Sequence, residues 1–164
     1  MTQLNRKTKT VFQNGIHPKV ANLNFDNLKF KLTKPSEAEM TLEKFLLAEQ
    51  EYRRFLSLKK MYPNIDLVPS KLIDTFWHAH ILDTKAYRED CQNVFGYFLD
   101  HYPYFGIKDS KDYKKLQSSF ERTKKLYEHH YGKYPKLGNS AARCQDHACH
   151  APTSCACRTP GACK

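Results

Sequence analysis

A chain of 164 residues, 40% hydrophobic but with ten Tyr and ten Phe, is long enough for one domain and a short appendage. Its formal charge of +10 is uneven: residues 1–34 are net +6, 35–107 net −3, 108–136 net +5 and 137–164 net +2. No run of 18 apolar residues occurs, and the basic start lacks an apolar stretch, which argues against a membrane span and a secretion signal. A cytoplasmic location is then the default, or an extracytoplasmic one if the C-terminal cysteines are disulfide-bonded.

Residues 1–21 read as an N-terminal arm. In "NLNFDNLKFKLTK", Leu28, Phe30 and Leu32 alternate as a short strand would, while Phe25 and Leu28 have the spacing of a helical turn. Ser36 and Glu39 have capping-box spacing ahead of a broad apolar stripe, which predicts a helix over 37–61, ended by Pro63. Pro69 suits the first turn of a helix through Leu72, Ile73, Phe76, Trp77 and Ile81. Asp83 caps the next, which stops near Gly96 or His101; "DHYPYFG" is an aromatic loop. Asp109 or Ser110 caps the last long helix and Gly132 terminates it. The prediction is all-α: a compact array of four to five helices over 22–136, a short N-terminal extended segment, and an irregular tail over 137–164. No Rossmann or P-loop fingerprint is present.

The chemistry concentrates in "DTFWHAH" and in the tail. Asp74 and His78 are four apart and share a helical face. His80 lies about 200° around the helix from His78, so both imidazoles serve one ion only if the helix ends near His80 or Ile81. In the functional reading, Asp74, His78 and His101 converge on a transition metal ion (Zn, Cu or Fe). Tyr87 and Cys91, again four apart, then close the pocket, with Cys91 a further candidate ligand that biases the site toward softer ions. In the competing reading, Asp74 fixes one tautomer of His78, and His80 and His101 are packing residues of a buried polar network. Cys91 is then a small buried hydrophobe.

The set Pro69, Asp74, Trp77, His78, His80, Tyr87, Cys91, Gly96, Asp100 and His101 resembles the glycine-rich domain-containing protein family over roughly residues 40–105. The resemblance implies the helical domain and brings no defined reaction with it. Only Gly138 and Gly161 fall in the last 28 residues, a departure from the Gly-rich tail of that family.

The tail holds Cys144, His147, Cys149, His150, Cys155, Cys157 and Cys163, and no large apolar residue after Leu137. It cannot build a core of its own. Thiolates and imidazoles there can hold a soft ion, pair as disulfides with Cys91 needed for full pairing, or form a reactive or processed segment. Three functions follow. The first is a metal-binding protein with a His/Asp pocket in the body and soft ligands in the tail. The second is a metalloenzyme, hydrolytic or oxidative, with an open position at the His78/His101 pocket. The third is a basic helical module for an acidic protein or nonspecific polyanion, with a disulfide-stapled tail.

Overall fold

The computed structural model describes residues 15–36, 39–136 and 140–142. Among the described residues six helices follow one another: α1 (Pro18–Ala21), α2 (Asp26–Thr33), α3 (Leu42–Met61), α4 (Lys71–Leu82), α5 (Thr84–Phe95) and α6 (Ser110–Tyr131). The all-α class holds, with more helices than the sequence predicts.

The ambiguous segment is helix α2. Leu28 and Leu32 are buried while Phe30 is 68% exposed, the i, i+4 pattern of a helix face rather than the alternate pattern of a strand. Helix α3 starts later than the capping-box spacing predicts. The Glu39 and Met40 N–H groups both donate to the Leu32 carbonyl, at 3.1 and 3.2 Å, which holds this stretch against the end of α2. Thr41 is therefore the cap, its hydroxyl accepting from the Lys44 N–H at 3.2 Å. Pro69 precedes the cap of α4 instead of entering its first turn; Ser70 is the cap. Asp83 both ends α4 and caps α5, and Asp109 caps α6, as their short polar side chains suggest.

Helix α3 is the hub, packed on α1, α2, α4 and α6. One face of it buries Phe45, Ala48, Tyr52 and Phe55, and the three rings among them meet Phe76 and Trp77 of α4. Residues 15–21, part of the predicted arm, deliver a fully buried Val20. Arg53 fastens them: its guanidinium donates to the Val20 carbonyl at 2.6 Å and the Leu23 carbonyl at 2.9 Å, and Glu49 holds it from the adjacent turn at 2.7 Å. The Val20 carbonyl belongs to the last turn of α1, so the cation also complements a helix C-terminus. Across the molecule, Arg54 donates to Glu51 at 2.8 Å and to the Tyr127 hydroxyl at 2.6 Å, which joins α3 to α6. The Glu51 carboxyl is pushed up by burial, against the lowering pull of Tyr127 and Arg54. No helix among the described residues is long and apolar enough to cross a membrane.

The far end of α6 gives a pH prediction. Burial, and then His129 beside it, hold the His130 imidazole below its ordinary pKa of 6.5, and the Tyr62 hydroxyl lies 2.7 Å from its Nε2. The folded state thus binds fewer protons than the unfolded state between the lowered pKa and 6.5. Stability tied to His130 is present above that window and is lost as pH falls through it. Thermal melts across the window should show a shallower acid loss for His130→Gln than for the wild type. His17, also lowered chiefly by burial, contributes in the same direction.

Candidate metal centre

Asp74 stands in the first turn of α4, where the helix N-terminus favours an anion. His78 follows one turn later, and its Nε2 is 3.9 Å from Asp74 Oδ1. The third member arrives from sequence far away. Gly96, at φ 81°, closes α5 in the left-handed conformation open to glycine and turns the chain back toward α4. Leu99 is then buried, and its carbonyl accepts from the Tyr87 hydroxyl at 2.6 Å. That hydroxyl in turn accepts from the Trp77 indole N–H at 2.9 Å. The relay fixes the loop two residues before His101. His101 lies edge-on to the Trp77 ring, 4.7 Å between centroids, and its Nε2 sits 2.8 Å from Asp74 Oδ1.

The result is a group of three, Asp74, His78 and His101, whose ligand atoms all lie within 4.8 Å of one another. Two ligand atoms each about 2.1 Å from a tetrahedral ion are about 3.4 Å apart. The observed 2.8 and 3.9 Å separations from Asp74 bracket that value, each within about 0.6 Å of it. The two imidazole rings already lie 4.6 Å apart, and Asp74 is only 6% exposed.

A cleft of about 440 Å³ opens beside Asp74 and His101. Trp77, Tyr102, Phe105 and Leu116 give it apolar walls, while Lys59, Asp66 and Asp100 contribute charge. Gly106 lets the loop press against α6: at φ 83°, an added Cβ there would meet Leu116 Cδ2 at 2.6 Å. Asp112 ties the same loop down by accepting from the Gly106 N–H at 2.7 Å. Burial lowers the Lys59 pKa, opposed by the nearby Asp66.

Two predicted body ligands stand elsewhere. Helix α4 runs unbroken to Leu82, so His80 points away from His78. Its Nδ1 is 3.1 Å from the Tyr52 hydroxyl and its Nε2 is 3.1 Å from Asp90 Oδ2. The carboxylate can only accept, so Nε2 carries the proton and Nδ1 accepts from Tyr52. Burial holds the Tyr52 hydroxyl protonated by raising its pKa well above the ordinary value. Both ring nitrogens are thus engaged in a structural network. Cys91 is 3% exposed, beneath Leu99 and Tyr87, and burial is the largest cause raising its thiol pKa. A buried thiol held in its neutral form is a poor ligand and nucleophile. Tyr87 and Cys91 do share a face, but they serve the core under the loop and not the group of three. Cys144, His147, Cys149, His150, Cys155, Cys157 and Cys163 lie outside the described residues.

A family model described as UCP032817-like matches residues 17–135, nearly the whole helical body. The chain belongs to the UCP032817-like family. This overturns the expected kinship with the glycine-rich domain-containing family: Trp77-His78-Ala79-His80 reports a helix with one site-facing and one core-facing histidine, not that lineage. No curated protein matches the chain, and no solved structure does. The UCP032817-like match begins at His17, in agreement with the packing of α1 into the core.

Sequence reasoning did not find Asp90, the partner of His80, nor the part played by Tyr87 in seating His101. Asp90 is ten residues from His80 and on another helix, a distance at which no periodicity links two side chains. The Tyr87 relay makes a prediction. Tyr87→Phe leaves the Trp77 N–H and the Leu99 carbonyl without their shared partner, at about 1–3 kcal/mol each. Chemical denaturation should register a loss of about 2–4 kcal/mol after partial relaxation. The denaturant dependence should keep its slope, since the fold buries the same surface.

Proposed function

We propose that this protein binds a transition metal ion through Asp74, His78 and His101. The observation that carries the reading is the convergence of two imidazoles and a buried carboxylate, from α4 and from a loop 27 residues away, on ligand atoms within 4.8 Å. Two nitrogens and one carboxylate oxygen suit Zn(II) or Fe(II), and Cu(II) if the geometry flattens. Second contacts support the ligands: Trp77 backs His101, and the start of α4 steadies the Asp74 charge. Elemental analysis of untagged protein, purified without chelator, tests this. One ion per chain, lost from an Asp74→Ala, His101→Ala double variant, is the expected result.

A second reading, a metalloenzyme of hydrolytic or oxidative type, is favoured by the cleft beside Asp74 and His101. Three protein ligands leave a coordination position for a substrate or water, and the cleft gives it access. Its aromatic walls and mixed charges suit a small amphiphilic molecule. Metal-dependent turnover that disappears with His78→Ala would favour this reading over simple retention of an ion.

A further inference from the structure

Lys59 is the one lysine or arginine among the described residues that lines the cleft beside Asp74 and His101. It stands in the last turn of α3, where the helix C-terminus favours a cation. The side chain is half-buried, yet among the described residues it forms neither a salt bridge nor a hydrogen bond; Asp66 attracts it only from longer range. The two arginines of the same helix are different. Arg53 is engaged by Glu49 and two carbonyls, and Arg54 by Glu51 and the Tyr127 hydroxyl. A cation partly withdrawn from water without a counter-charge is a place where a bound anion gains.

The walls define the rest of the ligand. Leu67, Val68, Trp77 and Leu116 are buried along the cleft, and Phe105 is half-buried. The Trp77 indole N–H is already given to the Tyr87 hydroxyl at 2.9 Å, so that ring offers apolar surface and no free donor. Asp66 and Asp100 are exposed, where water and salt screen them. Asp74 is the buried carboxylate of the cleft, and an ion bound there offsets its charge. One ammonium, with two carboxylates exposed nearby, favours a monoanion over a phosphate-like dianion. The volume of about 440 Å³ lies toward the small end of ligand pockets, about 300–1,000 Å³, which suits a single ring with a short acid arm.

We propose that this cleft binds a small carboxylate with an apolar, single-ring body, its carboxylate held by Lys59 and its body lying against Trp77, Phe105 and Leu116. The inference rests on the metal-binding reading of Asp74, His78 and His101, because the ion cancels the buried negative charge that would repel the ligand. Lys59 then selects the ligand by charge, and the apolar walls select it by shape.

Titration of 3-phenylpropionate into the zinc-loaded full-length protein tests this, followed by calorimetry and by the fluorescence of Trp77, the single tryptophan of the chain. Saturable binding at one per chain, with a change in that fluorescence, is the expected result. Lys59→Met should weaken it by at least about tenfold, as loss of a hydrogen bond between charged groups does, with zinc stoichiometry unchanged. Lys59→Arg should recover part of the loss. The neutral amide, 3-phenylpropanamide, should bind more weakly than the acid and equally to wild type and Lys59→Met, which separates charge recognition from a structural role of the lysine. Acid affinity unchanged in Lys59→Met, or an amide that binds as tightly as the acid, overturns the proposal and leaves the metal site standing. Tighter binding of 3-phenylpropylamine overturns it in favour of a cation held by Asp66 and Asp100. Failure of the wild type to bind zinc sinks both this proposal and the metal-binding reading.

Discussion

His101→Ala should weaken metal binding by at least about 100-fold while leaving the helical fold intact. Loss of a residue that merely orients a ligand costs about 10–100-fold, and His101 is itself a ligand in the proposed site, so its removal belongs at or beyond the top of that range. The fold should tolerate the change because the imidazole lies on a loop, where its ring meets Trp77 and His78 and its Nε2 meets Asp74. Titration of wild type and variant with zinc, followed calorimetrically, gives the ratio directly. Circular dichroism supplies the control. The same titration should show weaker binding on acidification for the wild type, since protons compete for the imidazoles.

Phe76→Ala should be the most damaging single change to stability. Phe76 is fully buried, and its ring meets Phe25, Phe45 and Tyr52 at 5.3, 5.2 and 5.1 Å. Truncation of such a ring leaves a cavity and costs about 3–5 kcal/mol. For a domain of this size each kcal/mol moves Tm by about 2–4 °C, so a fall of about 6–20 °C is expected in a thermal melt. The site should suffer with it, because α4 carries both Asp74 and His78 and is seated on α3 through this ring. Saturating zinc should restore part of the lost Tm, as a ligand bound only by the folded state must.

These two predictions separate what the sequence discloses from what it withholds. Helix faces were legible: four-residue spacing placed Asp74 beside His78 and turned His80 away from it, and short polar caps marked α5 and α6. The start of α3 was not, because the Leu32 carbonyl, a tertiary partner, decides where residues 39–40 lie. The helical nature of α2 was hidden by Phe30, an exposed aromatic that mimics strand alternation. His101 was a reasonable candidate from its aromatic surroundings. Its approach to Asp74 depends on Gly96 and the Trp77–Tyr87–Leu99 relay, and no local pattern encodes that. Cys91 was drawn toward the site by spacing alone; burial under Leu99 gives it to the core.

The most direct measurement is a crystal structure of the zinc-loaded protein with anomalous data collected on both sides of the metal edge. One anomalous peak within about 2.0–2.2 Å of Asp74, His78 and His101 is the predicted result. An ion bound elsewhere, with His101 still hydrogen-bonded to Asp74 and His78 turned away, would contradict the account.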